Sequence, residues 1–292
     1  MQIAIASGKG GTGKTTVATN LAVHFSRQGK KVTFIDCDVE EPNAHFFLNP
    51  NWHDERNEFV PVPKIDSAKC LGSECRKCID LCRFKALIWM VDSVLEFPEL
   101  CHGCALCELA CPAGAIQEAT RPLGISRLGK TDSISLYSGL LRIGEAMAPP
   151  LIKKVKQRAI TEQNEHDVRI IDCPPGATCP VVEALEDSDA AVLVTEPTPF
   201  GLHDLKIAVE LLRKVRIPFG VVINRAGMGD DRVQNYLENE NISLLGTLPH
   251  SLEAANAYSK GSLLINQVQG YALSIADIAG NIHTLAASES KS

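Results

Sequence analysis

Residues 3–7 read IAIAS and run straight into Gly8-Lys9-Gly10-Gly11-Thr12-Gly13-Lys14-Thr15-Thr16. The first segment is a short apolar run of strand character. Lys14 to Gln28 then carries helical periodicity through Val17, Leu21 and Phe25. A glycine-rich turn between a buried strand and a helix, in the pattern G-x-x-x-x-G-K-[ST], is a phosphate cradle. Glycines let backbone N–H groups curl around phosphate oxygens without Cβ clashes, and the helix opening at Gly13 adds its positive dipole end. Lys14 is placed to reach the β- and γ-phosphates, and the Thr15 hydroxyl to ligate Mg²⁺.

Outward from the cradle the same alternation continues. KVTFID (31–36) is a second buried strand, ending in Ile35-Asp36-Cys37-Asp38. Further strands are expected at 168–172, 190–195, 219–224 and 242–248. Helices are expected at 149–160, 181–187, 200–215, 230–240, 251–259 and 271–287. Strands alternating with helices imply an α/β fold with a mostly parallel sheet covered on both faces. Ile170-Ile171-Asp172 closes one strand and leads into Cys173-Pro174-Pro175-Gly176. A carboxylate at that strand end can hold Mg²⁺ through water, and Gly176 can let the loop respond to a γ-phosphate. Between about 57 and 121 the character changes to cysteine pairs and short β-like pieces, FVPVP, ALIWMV and VLEF. The expected organisation is one discontinuous α/β domain, 1–56 and 122–292, with an inserted small α+β domain at 57–121. The stretch RPLGISRLGK (121–130) reads as a linker, and no internal repeat is evident.

The chain has 292 residues, room for about two domains of roughly 150. Its apolar fraction of 45% and charged fraction of 22% exclude a disordered chain. The longest apolar runs, such as Ala190 to Val194, fall short of the ~20 residues of a membrane helix. A net charge of −6 argues against a general nucleic-acid binder. The opening MQIAIASGKGG has no basic region followed by an apolar one, so a cytoplasmic location is expected.

Eleven cysteines are present. Without an export signal, that density points to metal or redox work. Cys101-x2-Cys104-x2-Cys107-x3-Cys111-Pro112 has the spacing of a bacterial-type four-iron ferredoxin motif. Upstream, Cys70-x4-Cys75-x2-Cys78-x3-Cys82 departs from it twice, by its wider first gap and by Arg83 in place of proline. In two-cluster ferredoxins the fourth cysteine of each run ligates the other cluster. That resemblance implies Cys70, Cys75, Cys78 and Cys111 at one [4Fe–4S] site and Cys82, Cys101, Cys104 and Cys107 at a second. Cys₄ sites also bind zinc, although three cysteines packed as C-x2-C-x2-C suit one face of a cubane better. Few Lys and Arg lie nearby, so backbone N–H groups are expected to meet the thiolate charge. Cys37, Cys173 and Cys179 read as small packed residues near the nucleotide site.

Lys9 adds a second lysine inside the cradle. K-G-G-T-G-K-T-T resembles the deviant Walker A loop of the MinD, ParA and nitrogenase iron protein superfamily. That resemblance implies that Lys9 reaches across a dimer interface to the partner's nucleotide; the plainer reading is added positive potential. It implies that Asp38 orients the attacking water, that Asp36 supports the Mg²⁺ shell, and that Asp172 is the Walker B carboxylate. The plainer reading of Asp36 and Asp38 is a solvated strand end. Asn224 and Arg225 match the adenine-contact position and Pro249 lines the same pocket, while an asparagine at a strand end also serves as a turn or cap. Ile143-Gly144-Glu145 and Ala148-Pro149-Pro150 also read like that family.

Nested together, the motifs resemble P-loop ATPases of this superfamily carrying an inserted two-cluster ferredoxin domain. The implied cofactors are ATP/ADP, Mg²⁺ and two [4Fe–4S] clusters. The implied partners are a second copy or a related ATPase, and a redox protein, with no nucleic acid and no membrane. The implied activity is ATP hydrolysis coupled to electron transfer. The runner-up is an ATP-dependent iron–sulfur cluster carrier; such proteins bridge a labile cluster with a C-x-x-C pair, which this chain lacks after residue 111. A membrane-positioning switch would need a basic amphipathic tail, and YALSIADIAGNIHTLAASESKS has one Lys and no Arg.

Overall fold

The computed structural model describes residues 1–131, 133–163 and 166–289. Along the chain its strands are β1 (Gln2–Ala6), β2 (Val32–Asp36), β3 (Asn51–Ile65), β4 (Leu87–Met90), β5 (Ser93–Glu96), β6 (Ile116–Lys130), β7 (Ile134–Leu141), β8 (Val168–Asp172), β9 (Ala190–Thr195), β10 (Phe219–Ala226) and β11 (Leu244–Pro249). Its helices are α1 (Lys14–Arg27), α2 (Ala44–Leu48), α3 (Lys77–Leu81), α4 (Leu106–Ala110), α5 (Pro149–Glu162), α6 (Cys179–Leu185), α7 (Pro199–Val215), α8 (Arg232–Asn239), α9 (Leu252–Ser259), α10 (Leu264–Gln267) and α11 (Tyr271–Glu289).

Nine strands form one sheet in the order β11-β10-β9-β1-β8-β2-β7-β6-β3. From β11 to β7 the pairing is parallel. These strands are short apolar runs covered on both faces, as parallel sheets require. Val17, Leu21, Phe25, Ile275 and Ile278 build the core on one face. Leu151, Ile152, Val155, Leu185, Leu205 and Leu212 build it on the other. The expected α/β architecture with helices on both faces is what the chain adopts. Among the described residues, no helix is long and apolar enough to cross a membrane.

The far edge corrects the sequence reading. RPLGISRLGK is not a linker: it lies inside β6, and β7 follows it with six buried residues, Ile134 to Gly139. Pro122 and Gly124 look like breakers but are accommodated. Pro122 pairs with Phe59 at a shift in register, where a ladder N–H is dispensable. A Cβ on Gly124 would lie 2.4 Å from Leu140 O, so only glycine permits that approach. β3 and β6 pair antiparallel from Asn51–Lys130 to Ile65–Ile116. They form a ribbon that leads from the sheet to residues 66–115.

That lobe holds α3, α4 and the β4–β5 hairpin. Its core is Ile79, Leu87 and Val94, with Cys70, Cys78 and Cys107 packed around them. So small a core is marginal without cross-links or metal. The lobe also contains an internal repeat where none was expected. Cys75, Cys78 and Cys82 recur as Cys104, Cys107 and Cys111. Arg76 and Ala105 cap their helices in the left-handed region, at φ 44° and 56°. Ala86 N–H donates to Cys82 Sγ at 3.4 Å, and Ala115 N–H to Cys111 Sγ at 3.3 Å. The residues between the cysteines differ, Lys77 against Leu106 and Arg83 against Pro112. The repeat is therefore one of backbone shape rather than side-chain type.

Candidate functional site

β1, β8 and β2 end side by side at one edge of the sheet, and the loops that follow them meet there. Gly11 and Gly13 adopt φ of 80° and 92°, the left-handed conformations the cradle needs. A Cβ on Gly13 would sit 2.1 Å from Asn224 Nδ2. Asn224 Nδ2–H in turn donates to Thr12 O at 2.8 Å, so β10 clips the cradle in place.

Lys14 Nζ lies 3.0 Å from Asp172 Oδ1 and 3.8 Å from Asp38 Oδ2. The Thr15 hydroxyl donates to Asp172 Oδ2 at 2.6 Å. Burial works against the Lys14 charge, but Asp172 and Asp38 outweigh it and hold the ammonium above the ordinary lysine value. Asp36 and Asp172 are register partners on β2 and β8, both with no solvent exposure. Burial, reinforced by Asp172, pushes Asp36 well above the carboxylate range. Its two oxygens accept from Asp38 N–H and Ala44 N–H, both at 3.2 Å, and so organise the loop after β2. Burial also pushes Asp38 up, to about 6, against the pull of Lys14.

A cavity of about 440 Å³ opens from this cluster. Gly10, Gly11, Gly13, Lys14, Thr15, Thr16 and Asp38 line one end, with Asn224, Arg225, Pro249, Tyr258 and Tyr271 further along. Residues of the cradle, Asp38 and the Asn224–Arg225–Pro249 group therefore surround a single space. Gly8 packs against α7: a Cβ there would lie 2.1 Å from Asp204 O. The buried hydroxyls of Thr12 and Tyr271 have no hydrogen-bond partner. An orphaned Tyr271 hydroxyl lining a phosphate-cradle cavity fits a nucleotide. Thr15 and Asp172 are the residues that would hold Mg²⁺ there.

The chain matches the CobQ/CobB/MinD/ParA nucleotide binding domain over residues 3–265. It belongs to that nucleotide-binding family. An uncharacterized protein of Methanocaldococcus jannaschii is 30% identical over 280 residues, 95% of this chain and 97% of its own length. An iron-sulfur cluster carrier protein of Pyrococcus abyssi is 23% identical over 276 residues, 89% of this chain and 77% of its own length. The septum site-determining protein MinD of Pyrococcus horikoshii, solved with Mg-ADP, superposes with a TM-score of 0.61 at 20% identity, covering 98% of this chain and 96% of that one. The last likeness speaks to the fold.

Against the family frame, several residues escaped the sequence reading. Glu196, just after β9, receives both Lys9 and Arg225. Tyr271 looked like the start of an ordinary helix. Cys37 and Cys173 are fully buried, as expected, and burial pushes Cys173 up to about 12. Cys179 is exposed on the first turn of α6, which corrects its reading as a packed residue.

The lobe cysteines fall into two groups by mutual influence. Burial raises Cys78, and Cys70 and Cys111 raise it further. Burial raises Cys101, with Cys104 and Cys82 adding to it. Burial pushes Cys107 up to about 11, again with Cys101 and Cys104 adding to it. Cys82, Cys101, Cys104 and Cys107 line one small cavity of about 40 Å³. Gly103 N–H donates to Cys101 Sγ at 3.4 Å. Among the described residues, no three His, Cys, Asp or Glu side chains are spaced around a single ion. A four-iron cubane is larger than one ion and needs its thiolates further apart than zinc does. Arg121, in the stretch read as a linker, donates from Nε–H to Pro98 O at 2.8 Å, next to the Cys101 segment.

Proposed function

We propose that this protein is a nucleotide-switched dimeric ATPase that couples ATP turnover to electron transfer through two [4Fe–4S] clusters. Cys70, Cys75, Cys78 and Cys111 would hold one cluster, and Cys82, Cys101, Cys104 and Cys107 the other. The bound clusters would supply one-electron storage. The domain division follows: 1–56 and 122–292 bind nucleotide, and 57–121 carries electrons. The observation that carries the reading is geometric: Cys82 from one cysteine run lines the same small cavity as Cys101, Cys104 and Cys107 from the other. N–H groups aimed at Cys82, Cys101 and Cys111 support it, since such donors favour the thiolate.

On the nucleotide side, Lys14 and the cradle N–H groups bind phosphate, and Asp38 holds the attacking water. Lys9 leaves Glu196 to reach the partner's nucleotide. Asn224, Arg225 and Pro249 hold the base. Loops after Asp38 and Asp172 differ between ATP and ADP states, and coupling requires that ATP bind the two arrangements with different affinity.

The names of relatives near 23% identity favour a second reading, delivery of whole clusters. Anaerobic purification with iron and sulfide counting, followed by dithionite reduction with and without Mg-ATP, separates the readings. Electron transfer predicts about eight irons per chain, retained through turnover, and a redox response to Mg-ATP. Movement of iron into an apo-ferredoxin would establish delivery instead. A chain carrying zinc or no metal at these sulfurs would end both.

A further inference from the structure

Arg121 lies on β6 with its side chain 6% exposed. Its Nε–H donates to Pro98 O at 2.8 Å, and Cys101 N–H donates to the same carbonyl at 3.1 Å. Both terminal nitrogens reach Glu145: Nη2 is 3.3 Å from Oε1, and Nη1 donates to Oε2. The Glu145 side chain is only 1% exposed. Burial disfavours its charge, but Arg121 outweighs burial and holds the carboxyl below its ordinary value. Glu99 completes the cluster, 3.5 Å from Arg121 and 3.1 Å from Arg142. A buried guanidinium thus ties the carbonyl that accepts from Cys101 N–H to a carboxylate on the loop after β7.

That loop is tied to the nucleotide end. Leu141 N–H donates to Val39 O at 2.9 Å, and Val39 directly follows Asp38. Val39 is packed so closely on β7 that a Cβ on Gly139 would lie 2.7 Å from its Cγ1. Arg142 N–H then donates to Leu123 O at 3.0 Å. Displacing the segment after Asp38 therefore displaces Leu141, and with it Arg142 and Glu145.

We propose that the Glu145–Arg121 pair is a relay that makes the reduction potential of the Cys82–Cys101–Cys104–Cys107 cluster depend on the nucleotide bound near Asp38. With the pair closed, Glu145 cancels the guanidinium charge. With Glu145 drawn away, only the exposed Glu99 still opposes the guanidinium, and the less compensated charge beside the Cys101 segment favours the added electron. The electron comes from a one-electron donor outside the chain. This inference rests on the cluster reading above, and its test keeps the two apart.

The test is an EPR-monitored dithionite titration of the anaerobically purified full chain, alone and with Mg-ATP or Mg-ADP. Wild type is expected to show one couple that moves with nucleotide and one that does not. In Glu145→Gln the responsive couple should sit higher, by about a tenfold change in the reduction equilibrium, about 59 mV for one electron. It should no longer respond to nucleotide, while ATP hydrolysis stays within about twofold. Should Glu145→Gln fail to load iron, Arg142→Gln, at a half-exposed position, should at least halve the nucleotide response. An undiminished response in the variant that loads would overturn the relay alone and leave the cluster reading standing, whereas eight irons with no nucleotide response in wild type would overturn the relay and the coupling together and leave only the clusters. A chain without iron would overturn both.

Discussion

Lys9 Nζ stands 3.5 Å from Glu196 Oε2, while Arg225 Nη1–H donates to Oε1 of the same carboxylate at 2.5 Å. Glu196 is nearly buried, so two cations share one carboxylate, and one of them, Arg225, lines the nucleotide cavity. The lysine that the superfamily extends to a partner is held within its own chain. Lys9→Ala should keep nucleotide binding within about threefold but lose hydrolysis by about 10²-fold, the scale of removing one charge stabiliser. Glu196→Gln should release Lys9 and promote Mg-ATP-dependent pairing. Sedimentation with and without Mg-ATP checks both, and pairing unchanged in either variant would count against a role for Lys9 in trans.

Gly13 combines a φ of 92° with a Cβ position only 2.1 Å from Asn224 Nδ2. Gly13→Ala therefore strains the backbone and pushes away the side chain that clips the cradle. A loss of about 1–3 kcal/mol in stability and the disappearance of measurable ATP binding are expected by thermal denaturation and calorimetry.

Burial raises Asp38 to about 6 in the nucleotide-free protein. Its contribution to stability is fully present below the unfolded value of 3.8 and is lost as pH rises through about 6. Activity runs the other way, because holding the attacking water requires the carboxylate. kcat/KM for ATP should fall below an apparent pKa of about 6. A profile flat from pH 5 to 8 would remove Asp38 from this role.

The crossed ligand sets make an unusual claim about single substitutions. Cys111→Ser should abolish the cluster whose other ligands are Cys70, Cys75 and Cys78, and Cys82→Ser the cluster with Cys101, Cys104 and Cys107. Each variant should retain about half the iron, roughly one four-iron cluster. EPR should show the loss of opposite signals. If Cys111→Ser and Cys104→Ser erase the same signal, the crossing is wrong.

Lys156 is buried and donates to Glu183 O at 2.7 Å, Ala184 O at 3.2 Å and Glu186 O at 2.8 Å. One ammonium thus satisfies three carbonyls around the end of α6. Lys156→Met keeps the bulk but strands those acceptors, at a cost of about 3 kcal/mol. Urea denaturation reads this directly, and a loss under 1 kcal/mol would mean that water replaces the ammonium.

Much of this molecule was legible beforehand because its chemistry is local. The cradle, Asp36–Asp38, Asp172 and the cysteine runs are each set by contiguous spacing, and β1, α1 and β8 announce themselves by apolar pattern. What escaped depends on long-range approach. Arg121 and Gly124 looked like linker residues because their meaning lies with Glu145 and Leu140, distant in sequence. Glu196 is one carboxylate among many until Lys9 and Arg225 close on it. The lobe's repeat shows in the sequence only as cysteine spacing, because the residues between the cysteines differ while the φ angles and N–H···S contacts recur.

Only Gly124 to Lys130 of β6 pair with β7. The rest of the ribbon, Ile116 to Leu123 with its β3 partners, projects beyond the sheet as a cantilever of about 25 Å at roughly 3.3 Å per residue. A hydrogen-bonded ladder, unlike a tether, imposes parity. Removing one residue from each arm would turn the carried lobe over, putting each side chain on the opposite face. Removing two would draw it inward by about 7 Å with its orientation kept. The distance between the two chemistries of this chain can therefore be reset only in even steps.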